Sequence, residues 1–203
     1  SIVAVDADSG EMAWYYQTTP GENWDYTATQ DIVLADMEVD GVMRKVLMQA
    51  PKNGFFYVID RSNGELLRAH KFVHTTWASH VDMETGRPVE NPNLYYNKEA
   101  KWIIPVSLGG RNWQAMSFDE KKGIVYLTAS EVSGLYAMDE GWLKTGSYKR
   151  KPQGLNLGIE LGNLANIAQE TPGAKPSKGY LKAFNPLTGK SDWVIEYPHY
   201  WNG

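Results

Sequence analysis

The sequence predicts an all-β protein that forms a segment of a β-propeller. A frame of five residues occurs twice with the same spacing, as Ala4, Asp6, Ser9, Gly10 and Trp14 and again as Ala183, Asn185, Thr188, Gly189 and Trp193. Shorter copies cover residues 58–68 and 117–127. Each copy has an apolar run, an Asx-containing turn closed by Gly and a second apolar run, which indicates a β-hairpin. The turn glycines recur every 54 to 66 residues, a repeat size typical of propeller blades.

These repeats define the expected hairpins. We predict antiparallel hairpins in successive blades at residues 1–14, 55–68, 116–128 and 180–195. The indoles of Trp14 and Trp193 are predicted to be wedged between neighbouring sheets. Residues 32–49 predict one more hairpin, because apolar and polar residues alternate in its first arm.

Two stretches between the hairpins lack any period. Residues 74–101 and 141–178 are rich in Pro, Gly, Asn and Lys and are expected to be long loops on one face of the propeller. A short helical turn is expected within residues 158–168.

Composition limits the classes of function. The chain has 203 residues, of which 42% are hydrophobic and 12% aromatic, as in globular proteins. Most of its eight Trp and twelve Tyr are expected to be packing residues. A net charge of −4 gives no reason to expect a nucleic-acid partner. The absence of cysteine excludes disulfides, thiolate catalysis and Cys-x-x-Cys-His haem attachment within this chain.

One candidate for proton transfer is Asp25, which lies between Trp24 and Tyr26. Burial would disfavour its anionic form and suit it to act as a general base, whereas a nearby cation would hold it ionised. The alternative is an Asp that accepts hydrogen bonds from the backbone of a turn. Lys52 is a cation at a tight turn before a predicted strand, and its alternative is an exposed turn lysine.

A second candidate group is the run Gly109-Gly-Arg-Asn112-Trp113. It places an amide that can donate and accept beside a flat indole, which suits a planar ligand bearing carbonyl groups. The alternative is a Gly-Gly turn with a packed Trp. The four histidines show no metal-ligand spacing, and P-loop, dinucleotide and Gly-x-Ser-x-Gly motifs are absent.

Four motifs together closely resemble the pyrroloquinoline-quinone (PQQ) dependent alcohol dehydrogenases, of the ethanol and quinohemoprotein type. The motifs are residues 23–26, 50–61, 110–118 and 200–203, and they resemble the family in order and spacing. The resemblance extends over the whole chain. It implies an eight-bladed propeller with W-shaped, four-stranded antiparallel blades. Residues 1–203 would then be part of a single domain, about half or less of that propeller.

The resemblance also implies roles for five residues. Asp25 matches the catalytic base and is a candidate ligand of the metal. Lys52 matches the cation beside the reactive quinone carbonyl, and Asn112 matches an amide that bonds the quinone. Trp113 and Trp201 match aromatic neighbours of the cofactor.

The implied activity is oxidation of a primary alcohol to an aldehyde by hydride transfer to PQQ, assisted by Ca²⁺, in the periplasm. Lys rather than Arg at position 52 favours the ethanol-type branch over the methanol-type branch, and Thr27 rather than a second Asp favours Ca²⁺ over a lanthanide. The implied partners are a cytochrome c or another electron acceptor and the remainder of the propeller. A haem c could lie elsewhere in the parent protein.

The family's other calcium ligands, its vicinal disulfide and its stacking Trp have no counterpart in this sequence. We therefore expect the chain to be inactive by itself and to associate through unpaired edge strands. A rival interpretation is a non-catalytic PQQ-like-repeat propeller that binds protein partners in the cell envelope. A sugar-oxidising quinoprotein is a third possibility. The preferred alcohol, the electron acceptor and the oligomeric state stay open.

Overall fold

The structure is a computed structural model that describes residues 1–147, 149–150, 152–153 and 155–201. Asn202 and Gly203, the end of the last motif named above, lie outside the described residues. Antiparallel strands make up most of the regular secondary structure, as predicted. Their bounds are β1 Ile2–Val5, β2 Met12–Tyr16, β3 Val33–Val39, β4 Val42–Gln49, β5 Phe55–Asp60, β6 Leu66–Lys71, β7 Ala78–Val81, β8 Pro88–Glu90, β9 Lys101–Ile103, β10 Ser117–Asp119, β11 Ile124–Glu131, β12 Gly134–Tyr136, β13 Lys178–Phe184 and β14 Ser191–Glu196.

The described strands form two four-stranded sheets, in the orders β3-β4-β5-β6 and β10-β11-β13-β14. Three two-stranded sheets, β1-β2, β7-β8 and β9-β12, accompany them. All four hairpins predicted from the repeat are present, and so is the hairpin at 32–49. That last hairpin turns at Asp40 and Gly41, whose φ angles of 52° and 79° suit a tight two-residue turn. The four-stranded antiparallel sheets confirm the fold class, whereas the blade number of eight stays a prediction.

The assignment of one blade to each copy of the repeat was wrong. The third and fourth copies lie in the same sheet, because β11 pairs with β13 from Val125↔Phe184 to Glu131↔Lys178. A four-stranded blade contains two hairpins, and the same Asx-Gly turn can close either one. The glycine spacing therefore does not measure the blade period, since a long excursion over residues 132–177 separates two hairpins of one sheet.

The stretch 74–101 contains a hairpin that the sequence analysis missed. Its turn runs from Asp82 to Gly86, and the Asp82 carboxylate accepts from the amides of Glu84 and Thr85 at 2.9 and 2.8 Å. Asp6 makes the equivalent bonds in the first copy. The turn frame was present in the sequence, but the second arm begins with a proline and carries no Trp, so its strand signal was weak.

Two short helices lie in the excursion between β12 and β13. Helix α1 spans Glu140–Thr145 and is capped by Asp139, whose carboxylate accepts from the amide of Trp142 at 3.1 Å. Helix α2 spans Leu164–Glu170, so it overlaps the predicted helical turn only in part. In the described part of the chain, no helix is long and apolar enough to cross a membrane.

The central strand β5 is buried on both faces and separates two apolar cores. Phe56 and Val58 point into the core between the two large sheets, where the Phe56 and Phe184 ring centroids are 5.2 Å apart. Phe55 and Tyr57 point into an aromatic core on the other face, with the fully buried Trp24 and Trp77 among its members. This burial confirms that many of the aromatic residues serve packing.

The two ends of the sheets carry different kinds of connection between strands. The Asx-Gly turns close the hairpins at one end, which we call the turn end; their carboxylate or amide oxygens come from Asp6, Asp60, Asp82, Asp119 and Asn185. The connections at the opposite end, the loop end, are long and irregular: residues 17–32, 50–54, 72–77, 91–100, 104–116, 132–133 and 137–177, with 197–201 following β14.

Trp14 joins neighbouring sheets at the turn end, as predicted. Its Nε1 donates to the carbonyl of Arg61 at 3.2 Å, and its ring covers Gly64. Trp193 differs from the prediction: it is 41% exposed and stacks on Tyr126 of its own sheet, with centroids 5.8 Å apart. Both side chains lie on the same face of one four-stranded sheet. Because the indole of Trp193 is 41% exposed, it is not enclosed between two sheets of the described residues.

The contact between Trp14 and Gly64 can be tested by two matched alanine substitutions. Gly64 has φ +80°, and a Cβ there would lie 2.9 Å from the Trp14 ring, whereas Gly10 has φ +74° and nothing within 4 Å. Both changes force alanine into the left-handed region, which costs roughly 1–2 kcal/mol. Gly64→Ala should cost about 1–3 kcal/mol more than Gly10→Ala because of overpacking. Denaturant unfolding measures both, and equal losses would contradict the wedge.

Candidate active site

The loop that carries Asp25 alternates between buried and exposed side chains. Trp24 and Tyr26 are buried, whereas Asn23 and Asp25 are exposed. Trp24 packs against Trp77, with ring centroids 5.5 Å apart, and Tyr26 lies at the same distance from Trp77. The aromatic side chains therefore anchor the loop and leave the carboxylate of Asp25 facing outward at the loop end.

The exposure of Asp25 corrects one expectation. Its side chain is 64% exposed, so it is not the buried acid that its aromatic neighbours suggested. The second expectation, a nearby cation, is met by Lys52. Lys52 Nζ lies 3.1 Å from Asp25 Oδ2 and 3.2 Å from the Asp25 carbonyl oxygen.

The backbone of Asp25 is left-handed, with φ 65°. Among the described residues only one other non-glycine residue, Asp40 in the tight β3–β4 turn, has a positive φ. Asp adopts this region more readily than most residues, but the conformation still costs free energy and persists only where the surroundings fix it. Strain of this kind is typical of functional sites.

Lys52 is held in place by the turn between β4 and β5. Its side chain is only 12% exposed, so it is not the freely exposed turn lysine of the alternative interpretation. The neighbouring Asn53 is fully buried, and its Nδ2 donates to the carbonyl of Thr18 and to the hydroxyl of Tyr57 at 3.3 and 2.8 Å. The Asn53 Oδ1 accepts from the amide of Phe55 at 3.0 Å. This network fixes the turn from which Lys52 projects.

The two glycines before Asn112 lie directly on Lys52. The amide of Gly110 donates to the Lys52 carbonyl at 2.8 Å, and a Cβ at Gly109 would lie 2.5 Å from Lys52 Cγ. Any side chain at position 109 would therefore displace the lysine. The absence of a side chain at these glycines permits the close approach of their backbone to Lys52.

An ion pair between a buried arginine and a partly exposed aspartate, which sequence reasoning missed, stabilises this segment. Arg111 has a fully buried side chain that pairs with Asp31, and it also donates to the carbonyl of Gln114. The other carboxylate oxygen of Asp31 accepts from the amide of Met116 at 3.1 Å. Nothing in the sequence pattern separated Arg111 from a surface arginine, because its partner lies 80 residues earlier.

The remaining site residues predicted from the sequence also lie at the loop end. Asn112 Nδ2 donates to the carbonyl of Leu108 at 2.9 Å, and the indole of Trp113 is 70% exposed. Trp201 follows Tyr200, whose carbonyl accepts from Ser130 Oγ at 2.8 Å. The amide of Ser130 donates in turn to the carbonyl of Gly110, which places the segment before Trp201 near the glycines.

The residues of this end fit part of a site for a planar quinone and a hard cation. Lys52 offers a cation, Asn112 an amide and Trp113 an exposed indole at the same end of the sheets. The exposed carboxylate of Asp25 is a ligand of the type that Ca²⁺ takes, but Ca²⁺ takes 6–8 oxygens. No group of three or more His, Cys, Asp or Glu residues in the described chain could hold a metal ion. Asp25 can therefore supply one ligand of such a site.

Comparison with known proteins gives consistent similarities. Residues 1–71 match the PQQ family model for the glucose/ethanol/alcohol dehydrogenase β-propeller domain. The chain is 46% identical over 203 residues to quinohemoprotein alcohol dehydrogenase ADH IIB of Pseudomonas putida. The alignment covers 100% of this chain and 28% of that protein. It is 39% identical to the 1-butanol dehydrogenase (cytochrome c) of Thauera butanivorans, with 100% of this chain and 29% of that protein covered.

A solved structure agrees with these relatives. The quinohemoprotein alcohol dehydrogenase of Comamonas testosteroni superposes with a TM-score of 0.85 at 38% identity, covering 99% of this chain and 29% of that chain. The chain thus spans less than a third of the length of the relatives that it matches.

Buried tyrosines next to Asp25 predict a loss of stability at alkaline pH. Burial raises the pKa of Tyr136 to about 12 from 10.0. The folded state favours the neutral phenol, so the stabilisation from Tyr136 is complete below pH 10.0 and is lost as the pH rises to about 12. The free energy of unfolding should fall across this interval, and less steeply in Tyr136→Phe. Urea unfolding at several pH values measures both slopes, and equal slopes would contradict the assignment.

Proposed function

We propose that this chain, which belongs to the PQQ-dependent alcohol dehydrogenases of the quinohemoprotein type, forms part of an enzyme that oxidises a primary alcohol to an aldehyde. The observation that carries the proposal is the pairing of Asp25 with Lys52 at the loop end, at 3.1 Å. Sequence motifs 27 residues apart predicted these two residues as site partners, and the fold brings them into contact.

Asp25 takes the role of general base in this proposal. An alcohol donates hydride poorly until its hydroxyl proton leaves, and a positioned carboxylate accepts that proton. The exposed carboxylate of Asp25 is accessible to a small alcohol, and its backbone and ion pair fix the direction in which it points. Trp24 and Tyr26 keep the loop from moving because both are buried in the aromatic core.

Lys52 supplies a fixed positive charge beside the base. Its stem packs against Gly109, so the ammonium group is held in position rather than free to sample solvent. A preorganised cation of this kind stabilises negative charge that develops during a reaction. When bound, PQQ supplies the hydride acceptor and Ca²⁺ supplies a Lewis acid. We assign Lys52, Asn112, Trp113 and Trp201 to the cofactor and Asp25 to the metal.

The location and the electron acceptor belong to the same proposal. We infer a periplasmic enzyme. We also infer that it passes electrons to a cytochrome c, in keeping with the name of the relative from Thauera butanivorans. Ca²⁺ rather than a lanthanide is proposed because Thr27, not an acid, stands two residues after Asp25.

The rival scaffold function receives less support. Repeated hairpins suit it equally well, but a scaffold has no need for a left-handed Asp25 bonded to a largely buried lysine. The tight β3–β4 turn explains the left-handed backbone of Asp40, whereas no hairpin turn requires that of Asp25, so a catalytic role explains it better.

Asp25→Asn tests the proposed base. Asn tolerates the left-handed conformation and keeps the shape, so the loss should be chemical rather than structural. In the intact protein loaded with PQQ and Ca²⁺, alcohol oxidation with an artificial dye should fall by ~10²–10⁴-fold at matched cofactor occupancy.

Asp40→Asn is the matched control for this change. Asp40 is also a positive-φ aspartate in an ion pair, with Arg68, but it lies at the turn end. Its substitution should leave the rate unchanged. Near wild-type turnover in Asp25→Asn would show that the active site lies elsewhere in the propeller.

Lys52→Met tests the fixed cation while keeping an apolar stem against Gly109. The rate of alcohol oxidation should fall by on the order of 10²-fold or more, the usual effect of removing a preorganised oxyanion partner. Lys122→Met, which removes a lysine paired with Asp119 at the turn end, should have no effect on the rate. Equal rates for the two variants would rule out the assigned role of Lys52.

A further inference from the structure

Three consecutive peptide carbonyls around Asp25 each accept a hydrogen bond from a side chain. The Asn23 carbonyl accepts from the Tyr96 hydroxyl at 2.7 Å, and the Trp24 carbonyl accepts from the Tyr136 hydroxyl at 3.1 Å. The Asp25 carbonyl accepts from Lys52 Nζ at 3.2 Å. The three donors thus bind the backbone on both sides of the catalytic carboxylate.

The donors come from three separate parts of the chain. Tyr96 follows the 3-10 turn Pro92–Leu94, Tyr136 ends β12, and Lys52 lies between β4 and β5. Convergence from such distant segments on three successive carbonyls is not explained by local turn geometry, in which carbonyls bond to nearby amides or to water.

Tyr96 and Tyr136 act as one unit. Their ring centroids are 5.3 Å apart, and both residues are buried at 7% and 5% exposure. A buried tyrosine hydroxyl needs a hydrogen-bond partner, and here both hydroxyls donate to peptide groups that directly precede Asp25, while the Tyr136 oxygen also accepts from Ser107. The ring pair therefore ties the strand β12 and the segment after β8 to the Asp25 loop.

These bonds constrain the strained conformation of Asp25. The φ angle of 65° is measured about the bond that follows the Trp24 peptide group. The Tyr136 hydroxyl fixes the orientation of that peptide plane through the Trp24 carbonyl. The Tyr96 hydroxyl fixes the plane before it, and Lys52 fixes the plane after it. Without the two hydroxyls, the backbone of Asp25 could relax to the common right-handed or extended regions. Its carboxylate would then no longer point toward Lys52.

We propose that Tyr96 and Tyr136 are positioning residues that hold Asp25 in its reactive orientation. This inference rests on the proposed function, in which Asp25 is the general base. The two tyrosines act through the backbone of the loop and need no contact with substrate or cofactor.

The test removes one hydroxyl at a time in the intact protein loaded with PQQ and Ca²⁺. Tyr96→Phe and Tyr136→Phe should each lower kcat by roughly 10-fold or more, in line with the loss of groups that orient a reactive ligand. The KM for the alcohol should change by less than about twofold, because binding is not the property removed.

Tyr16→Phe is the matched control. The Tyr16 hydroxyl donates to the carbonyl of Gly86 at 2.7 Å, the same kind of bond with the same length as that of Tyr96, but at the turn end. Its loss should lower stability and leave kcat unchanged. A comparable fall of kcat in Tyr16→Phe would overturn the proposal, since general destabilisation would then explain every variant.

A second readout does not depend on activity. Hydrogen exchange of the amides in residues 22–28, measured on the protein without cofactor, should be faster in Tyr96→Phe and in Tyr136→Phe but unchanged in Tyr16→Phe. If one of the two single variants does not fold, the other decides, because each hydroxyl binds a different carbonyl.

The outcomes separate this proposal from the proposed function. If both Tyr→Phe variants keep the kcat and the exchange rates of Tyr16→Phe while Asp25→Asn is inactive, the positioning role is wrong and the base stands. If Asp25→Asn is fully active, the proposed function fails first, and the positioning role fails with it.

Discussion

The candidate site depends on one buried indole, that of Trp77. Its Nε1 donates to the carbonyl of Asn53 at 2.7 Å, next to Lys52, and its ring packs against Trp24 and Tyr26 on either side of Asp25. One side chain thus holds both loops whose charged groups meet at 3.1 Å. Loss of this packing would separate the acid from the cation without changing either.

The two ends of the sheets have different roles, because the packed turns lie at one end and the candidate site residues lie at the other. At the turn end, two of the short Asx-Gly turns are covered by residues of the neighbouring sheet: Trp14 lies over Gly64, and the ring of His70 leaves no room for a Cβ at Gly189. At the loop end, the connections are long, and they carry the charged groups and the strained backbone of Asp25. Hydrogen-bonded turns tolerate little variation, whereas loops on a rigid scaffold can carry chemistry.

Much of the fold could be predicted from the sequence because its hairpins carry local signals. The Asx-Gly turns and alternating arms are such signals, and the resemblance to a known family supplied Asp25 and Lys52 together. The pairing of β11 with β13 could not be predicted, because it depends on contacts across the excursion 132–177. The same limit applies to the Arg111–Asp31 pair and to the hydroxyls of Tyr96 and Tyr136, which meet their partners only in the folded chain.

The central claim is that the loop end, around Lys52 and Asp25, holds the reacting groups. A crystal structure of the intact protein grown with PQQ and Ca²⁺ tests it most directly. The account predicts density for a planar tricyclic quinone beside Lys52 Nζ, with Asp25 still in the left-handed conformation and its carboxylate directed toward the bound metal. Quinone density away from Lys52, or an Asp25 side chain turned from the cofactor in an active crystal, would contradict it.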